Sequence, residues 1–156
     1  MTIKQTDYSL VTRQLDALLD GETDFIANLS NASALLNENL EQINWVGFYL
    51  IKNGELILGP FQGKPACMHI QIGKGVCGTA VKEDAIQRVA DVNTFPGHIA
   101  CDAASQSEIV LPIHHNNEII GVLDIDAPIT NRFSEEDAQG LAHFVKTLEQ
   151  HLSERK

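Results

Sequence analysis

Residues 101–128 read CDAASQSEIVLPIHHNNEIIGVLDIDAP, and the fold is decided in this stretch. A cysteine and a short polar connector lead into two apolar runs, 107–115 and 118–126, separated by Asn116-Asn117. Asparagine adopts positive φ more readily than most residues, so the pair predicts a two-residue hairpin turn. In the second run, alternation puts Ile120, Val122, Asp124 and Asp126 on one face and Ile119, Leu123 and Ile125 on the other. With both faces apolar, it reads as a central strand covered on both sides that nevertheless ends in two carboxylates. Glu108 opens the neighbouring strand, and hairpin pairing brings it near Asp124 or Asp126. Three acids and the thiol of Cys101 thus converge near one end of a sheet.

Toward the N-terminus, residues 86–100 hold a strand and an Asn-Thr-Phe-Pro-Gly turn, and His98-Ile99-Ala100 is expected to begin a short helix reaching Cys101. Gly75 opens a short helix with Cys77 and Val81 on its buried face, so Cys77 taken alone reads as core. Residues 62–75 supply a loop, a short strand HIQI and a Gly-bracketed turn. Cys67 falls in that loop after Lys64-Pro65, where a nearby lysine favours a thiolate. Asn53-Gly54 is a strong hairpin signal joining the strand NWVGFYLIK (44–52) to ELILGPF (55–61). Pro60 places the second of these at a sheet edge. Trp45, Gly47 and Tyr49 share one face, and the two aromatics read either as core or as a flat apolar wall for a small ligand.

Residues 6–40 read as two helices, with Leu10, Val11, Leu15, Leu18 and Leu19 and then Phe25, Ile26, Leu29, Leu36 and Leu40 at helical spacing. Ser134 caps a last helix striped by Leu141, Phe144, Val145, Leu148 and Leu152. Strands joined by hairpins with helices at both ends predict an α+β fold. Its mostly antiparallel central sheet has the terminal helices on one face, and short helices and loops form a pocket on the other.

At 156 residues, with 44% hydrophobic and 21% charged residues, the chain is expected to be one globular domain, 1–156. A formal charge of -10 argues against nucleic-acid binding and against an anionic membrane surface. The start MTIKQTDYSL has no signal-peptide core and no run has membrane-spanning length, so a cytoplasmic location is expected. Three cysteines fit poorly with a secreted disulfide framework. Without a C-x-x-C pair or a nearby paired histidine motif, zinc is set aside and no metal is expected.

Burial and mutual repulsion should raise the carboxyl pKa values of Asp124 and Asp126. A carboxyl group kept protonated near neutral pH can donate to a developing oxyanion, and Cys101 as thiolate would be the best nucleophile at hand. The acids oppose that thiolate, which a helix N-terminus or a substrate ammonium would offset. The bland alternative leaves the acids at a solvated strand end, capping loop amides.

Five segments carry a more specific signal: NWVGFYL (44–50), LGPFQGKPAC (58–67), IGKGVCGTA (72–80), ADVNTFPGHIACDAASQSEIVLPI (90–113) and GVLDIDAP (121–128). On these the chain resembles the free methionine-(R)-sulfoxide reductases, GAF-domain enzymes, along almost its whole length. The resemblance implies a GAF-like fold and an oxidoreductase with no bound cofactor. Cys101 would attack the sulfoxide sulfur and become a sulfenic acid, and Cys67 would resolve it as a Cys67–Cys101 disulfide that thioredoxin reduces. Cys77 matches a third, less essential cysteine that takes part in recycling. Glu108, Asp124 and Asp126 match the acids that hold the substrate ammonium and assist oxygen protonation, with the roles among them unassigned. Trp45 and Tyr49 match pocket residues, the indole walling the substrate methyl group, and a homodimer is expected. Two rivals come from other classes: a non-catalytic GAF small-molecule or redox sensor, and a dimeric scaffold using the terminal helices. The absence of an output domain weighs against the sensor, and the thiol-acid cluster against both.

Overall fold

The computed structural model describes residues 3–98 and 103–152. Its elements are α1 (Tyr8–Leu18), α2 (Phe25–Asn39), β1 (Trp45–Lys52), β2 (Glu55–Gly63), β3 (His69–Gln71), α3 (Gly75–Glu83), β4 (Gln87–Val89), a 3-10 turn (Val92–Thr94), β5 (Ser107–His115), β6 (Glu118–Ala127) and α4 (Glu135–Leu152). The described strands form one six-stranded sheet in the order β3-β2-β1-β6-β5-β4, with antiparallel neighbours.

Both hairpin turns take the expected form. Asn53 and Gly54 have φ of 52° and 80°, and Asn116 and Asn117 have 52° and 66°, the left-handed pair whose twist matches that of the flanking strands. β6 is central, as its two apolar faces require. Val46, Phe48, Ile109, Leu111, Leu123 and Ile125 point to one side of the sheet and bury against Leu15 of α1, Leu29 and Leu36 of α2, and Phe144 and Leu148 of α4. Each such side chain contributes roughly 1.5–3 kcal/mol of burial. The other side carries Trp45, Tyr49, Val110 and Val122, covered by Val76, Cys77 and Ala80 of α3.

The helices begin where the sequence provides caps. Asp7 and Asp24 accept from the amides of Leu10 and Ala27. Ser134 Oγ accepts from the Asp137 amide while Asp137 Oδ2 accepts from the Ser134 amide, a reciprocal capping box. Asp137 also accepts from the Tyr8 hydroxyl at 2.6 Å and pairs with buried Arg132 at 3.2 Å, which joins α1 to α4. Arg132 Nε in turn donates to the Glu41 carbonyl at 2.8 Å.

Two expectations need correction. β2 is not an edge strand, since β3 lies outside it. β3 pairs only with Glu55–Ile57, however, and Pro60 lies beyond that short ladder, at a bulge where the β1 register slips between Gly47 and Tyr49. A missing amide donor is tolerated at such a place. Leu10, Leu18 and Ile26, counted into the apolar stripes, are 43%, 48% and 50% exposed, because the buried stripes are narrower than the periodicity allowed. The short helix expected at 98–100 lies outside the described residues from Ile99 onward. No described helix is long and apolar enough to cross a membrane.

Candidate active site

Strand register assembles the acids. Glu108 on β5 stands opposite Asp126 on β6, Val110 stands opposite Asp124, and Trp45 on β1 faces Asp126 from the other side. Period-two alternation therefore turns Glu108, Asp124, Asp126, Trp45 and Tyr49 toward the same side of the sheet. They line a small cavity of about 50 Å³ whose roof is Pro65 and Ala66 from the β2–β3 loop, Lys74, Gly75, Val76 and Cys77 at the start of α3, and His98 and Ser105. Glu108 and Asp124 are buried.

Burial pushes the Asp124 carboxyl well above its ordinary 3.8, and the negative charges of Asp126 and Glu108 push it further. Both causes favour its protonated form, and its Oδ1 meets no protein hydrogen-bond partner. Cys77, which taken alone reads as core and on the resemblance as a third, recycling cysteine, lies in the cluster itself, with Sγ 4.0 Å from Glu108 Oε2. Its thiol is raised by burial first and then by Asp124, Glu108 and Asp126, so it stays S–H. Cys77 Sγ and one carboxylate oxygen each from Glu108 and Asp124 lie within 4.8 Å of one another. A small cation would find three donors there once thiol and acid ionise. Cysteine spacing gave no sign of this set, whose members come from α3, β5 and β6.

Trp45 and Tyr49 are both core and wall. They are 3% and 2% exposed, and their rings stack with centroids 5.9 Å apart, while Phe61 stacks on Trp45 with centroids 5.1 Å apart. The indole donates to the Lys64 carbonyl at 3.1 Å and the Tyr49 hydroxyl to the Cys67 carbonyl at 2.9 Å. Burial, then the nearby acids and Cys77, hold that phenol far above its usual range, so it remains a donor.

Cys67 is disulfide-bonded and Cys77 is a free thiol. Cys101 lies outside the described residues. Sequence reasoning missed His98, Ser105 and Lys74 as lining residues, although all three fall inside segments that carried the resemblance. Ser105 Oγ accepts from Asn44 Nδ2 at 3.1 Å, joining the segment before β5 to the one before β1. The first turn of α3 opens onto the cavity with no side-chain cap, beside Lys74. Acids below and a helix start above give the cavity two ends of opposite polarity, suited to a small zwitterion.

Comparison with known proteins places this arrangement. The GAF domain family matches residues 12–152. The chain is 57% identical over 146 residues to the free methionine-R-sulfoxide reductase of Escherichia coli (strain K12), covering 94% of this chain and 88% of that one. The fRMsr of Staphylococcus aureus in its reduced form superposes with a TM-score of 0.95 at 62% identity, covering 97% of this chain and 99% of that one. The same protein in complex with substrate gives 0.93 at 61% identity over the same shares. The chain belongs to the free methionine-R-sulfoxide reductase family of GAF-domain proteins.

Proposed function

We propose that the chain reduces free L-methionine-(R)-sulfoxide to methionine with its own thiols, taking electrons from thioredoxin and holding no bound cofactor. The observation that carries this is the buried Asp124 carboxyl, with an unpartnered oxygen and a pKa raised by burial and by its acidic neighbours, set among Glu108, Asp126 and the Trp45 indole. Sulfoxide oxygen leaves only when protonated, and a carboxyl group that keeps its proton near neutral pH supplies it. Asp126 and Glu108 take the substrate ammonium, while Lys74 and the first turn of α3 face its carboxylate. The indole of Trp45 walls the methyl group.

In this scheme the Cys101 thiolate attacks the sulfoxide sulfur. Proton transfer from Asp124 makes the sulfoxide oxygen a hydroxyl, which passes from the substrate sulfur to the Cys101 sulfur as the transient sulfur–sulfur bond breaks, so methionine departs and Cys101 is left as a sulfenic acid. The Cys67 thiolate attacks that sulfur, water leaves, and a Cys67–Cys101 disulfide remains. A thioredoxin dithiol reduces it by exchange and becomes a disulfide, so each methionine costs two electrons and releases one water. The bonded state of Cys67 beside a free Cys77 supports that pairing. Cys77 takes part in recycling only weakly, because its thiol is held protonated. One catalytic domain over 1–156, a cytoplasmic location and a homodimer belong to the same proposal.

The test follows NADPH consumption with thioredoxin and its reductase on free methionine-(R)-sulfoxide, the (S) epimer and the N-acetylated (R) form. Turnover is expected on the free (R) form alone, since acylation removes the ammonium that the acids bind. No turnover on any of the three, with reduced thiols and folded protein, would favour a GAF ligand sensor instead.

A further inference from the structure

The loop that carries Cys67 has no regular structure between β2 and β3 and includes Pro65, which has no amide to offer. It is nevertheless tied at both ends from one strand. Trp45 and Tyr49 stand four residues apart on the same face of β1, and their polar atoms reach past the cavity to the backbone of the loop. The indole N–H meets the Lys64 carbonyl at 3.1 Å, and the hydroxyl meets the Cys67 carbonyl at 2.9 Å. The stacked rings of Phe61, Trp45 and Tyr49 fix the two donors in place. Gly63, at φ 144°, lets the chain turn over the indole, where a Cβ would come 2.5 Å from Trp45 Cδ1.

From this geometry we infer that Trp45 and Tyr49 are positioning residues for Cys67, a two-point clamp that sets how readily its thiol forms the disulfide. A clamp of this kind has a use only if Cys67 and Cys101 pair as proposed above. When the disulfide is intact the crosslink itself restrains the loop. When it is reduced, that crosslink is gone and the clamp carries more of the task of keeping the Cys67 sulfur near its partner. Loosening the clamp frees the dithiol form more than the disulfide form, lowers the effective concentration of one sulfur at the other, and shifts the equilibrium toward dithiol.

The test needs no methionine sulfoxide. The full chain and its Tyr49→Phe variant are equilibrated in glutathione redox buffers. Two glutathione thiols pass two electrons and two protons to the disulfide and emerge as glutathione disulfide. The thiols are then alkylated and the bond located by peptide mass spectrometry. Tyr49→Phe keeps the ring and removes one hydrogen bond, so the constant for disulfide formation should fall by about fivefold. Alkylation of Cys67 in the reduced protein should quicken with it. Tyr8→Phe removes a buried hydroxyl that bonds to Asp137 in the α1–α4 network, and it should lower the melting temperature without moving the constant. Equal constants and alkylation rates in the chain and in Tyr49→Phe would overturn the clamp while leaving the disulfide standing. An equal fall in Tyr8→Phe would reduce the effect to general loosening and overturn it too. No Cys67–Cys101 bond in the unchanged protein would overturn the pairing, and the clamp with it.

Discussion

The two faces of one sheet are built from alternate residues of the same strands, yet they obey opposite rules. On the helix side, Leu123 and Ile125 of β6 enter a dry apolar core with Phe48 and Phe144, where every contact favours the folded state. On the other side, Val122, Asp124 and Asp126 of the same strand meet α3 and the β2–β3 loop, and a buried acid of raised pKa lies beside a buried thiol. Burying unpaired polar groups opposes folding. The helix face thus supplies stability that the cavity face spends on a chemically prepared site.

If that division holds, changes on the cavity side should remove activity and spare the fold, with the reverse on the helix side. The largest effect is expected for Cys101→Ser, which should abolish thioredoxin-supported turnover while the far-ultraviolet circular dichroism stays unchanged. Cys67→Ser should release one methionine per chain and then stall, and equal steady-state activity in both variants would end the proposed sharing of roles.

Next comes Asp124→Asn, expected to lower kcat/KM by about 10²–10⁴-fold, the usual worth of a placed general acid. It also distinguishes the faces by pH. The carboxyl of Asp124 titrates higher when folded than its ordinary 3.8, so the folded state keeps a proton that the unfolded chain gives up. Its contribution to stability is therefore complete below pH 3.8 and lost as pH rises toward the folded value, at up to about 1.4 kcal/mol per pH unit. Urea melts from pH 4 to 8 should show Asp124→Asn gaining on the unchanged protein as pH rises, and a constant difference would contradict a raised carboxyl.

Leu123→Ala, one residue away on the other face, should cost about 2–5 kcal/mol at every pH and leave the chemistry intact in protein that remains folded. Gly121→Ala probes the sheet between the faces. Its Cβ would lie 2.3 Å from the Tyr49 carbonyl oxygen, so a loss of about 1–3 kcal/mol is expected in the same melts. Least of all should Arg88→Ala matter. Its ion pair with Glu135 at 3.2 Å is solvent-exposed, and the loss should stay within about 1 kcal/mol and diminish further in salt.

Much of this was legible before the fold was known. Asparagine turns and period-two alternation gave both hairpins and the central place of β6, because turn chemistry and side-chain direction are local properties. Pairing within one hairpin then brought Glu108 opposite Asp126. Other features were misread for the complementary reason. Pro60 pointed to an edge, yet a bulge and a short β3 let it sit in an interior strand. Leu10, Leu18 and Ile26 fit a helical stripe whose width only the packing partners set.

The sequence by itself determined the family, the order of elements, and the convergence of Glu108, Asp124 and Asp126 at one end of the sheet. Only the tertiary structure decided that Cys77 touches those acids, that Trp45 and Tyr49 hold the backbone of the Cys67 loop, and that Lys74 and the start of α3 close the cavity. The physical reason is range. Alternation, caps and turns act over a few residues and are written in neighbouring positions, whereas these contacts join segments 18 to 31 residues apart and arise when α3 and the loop settle onto the sheet.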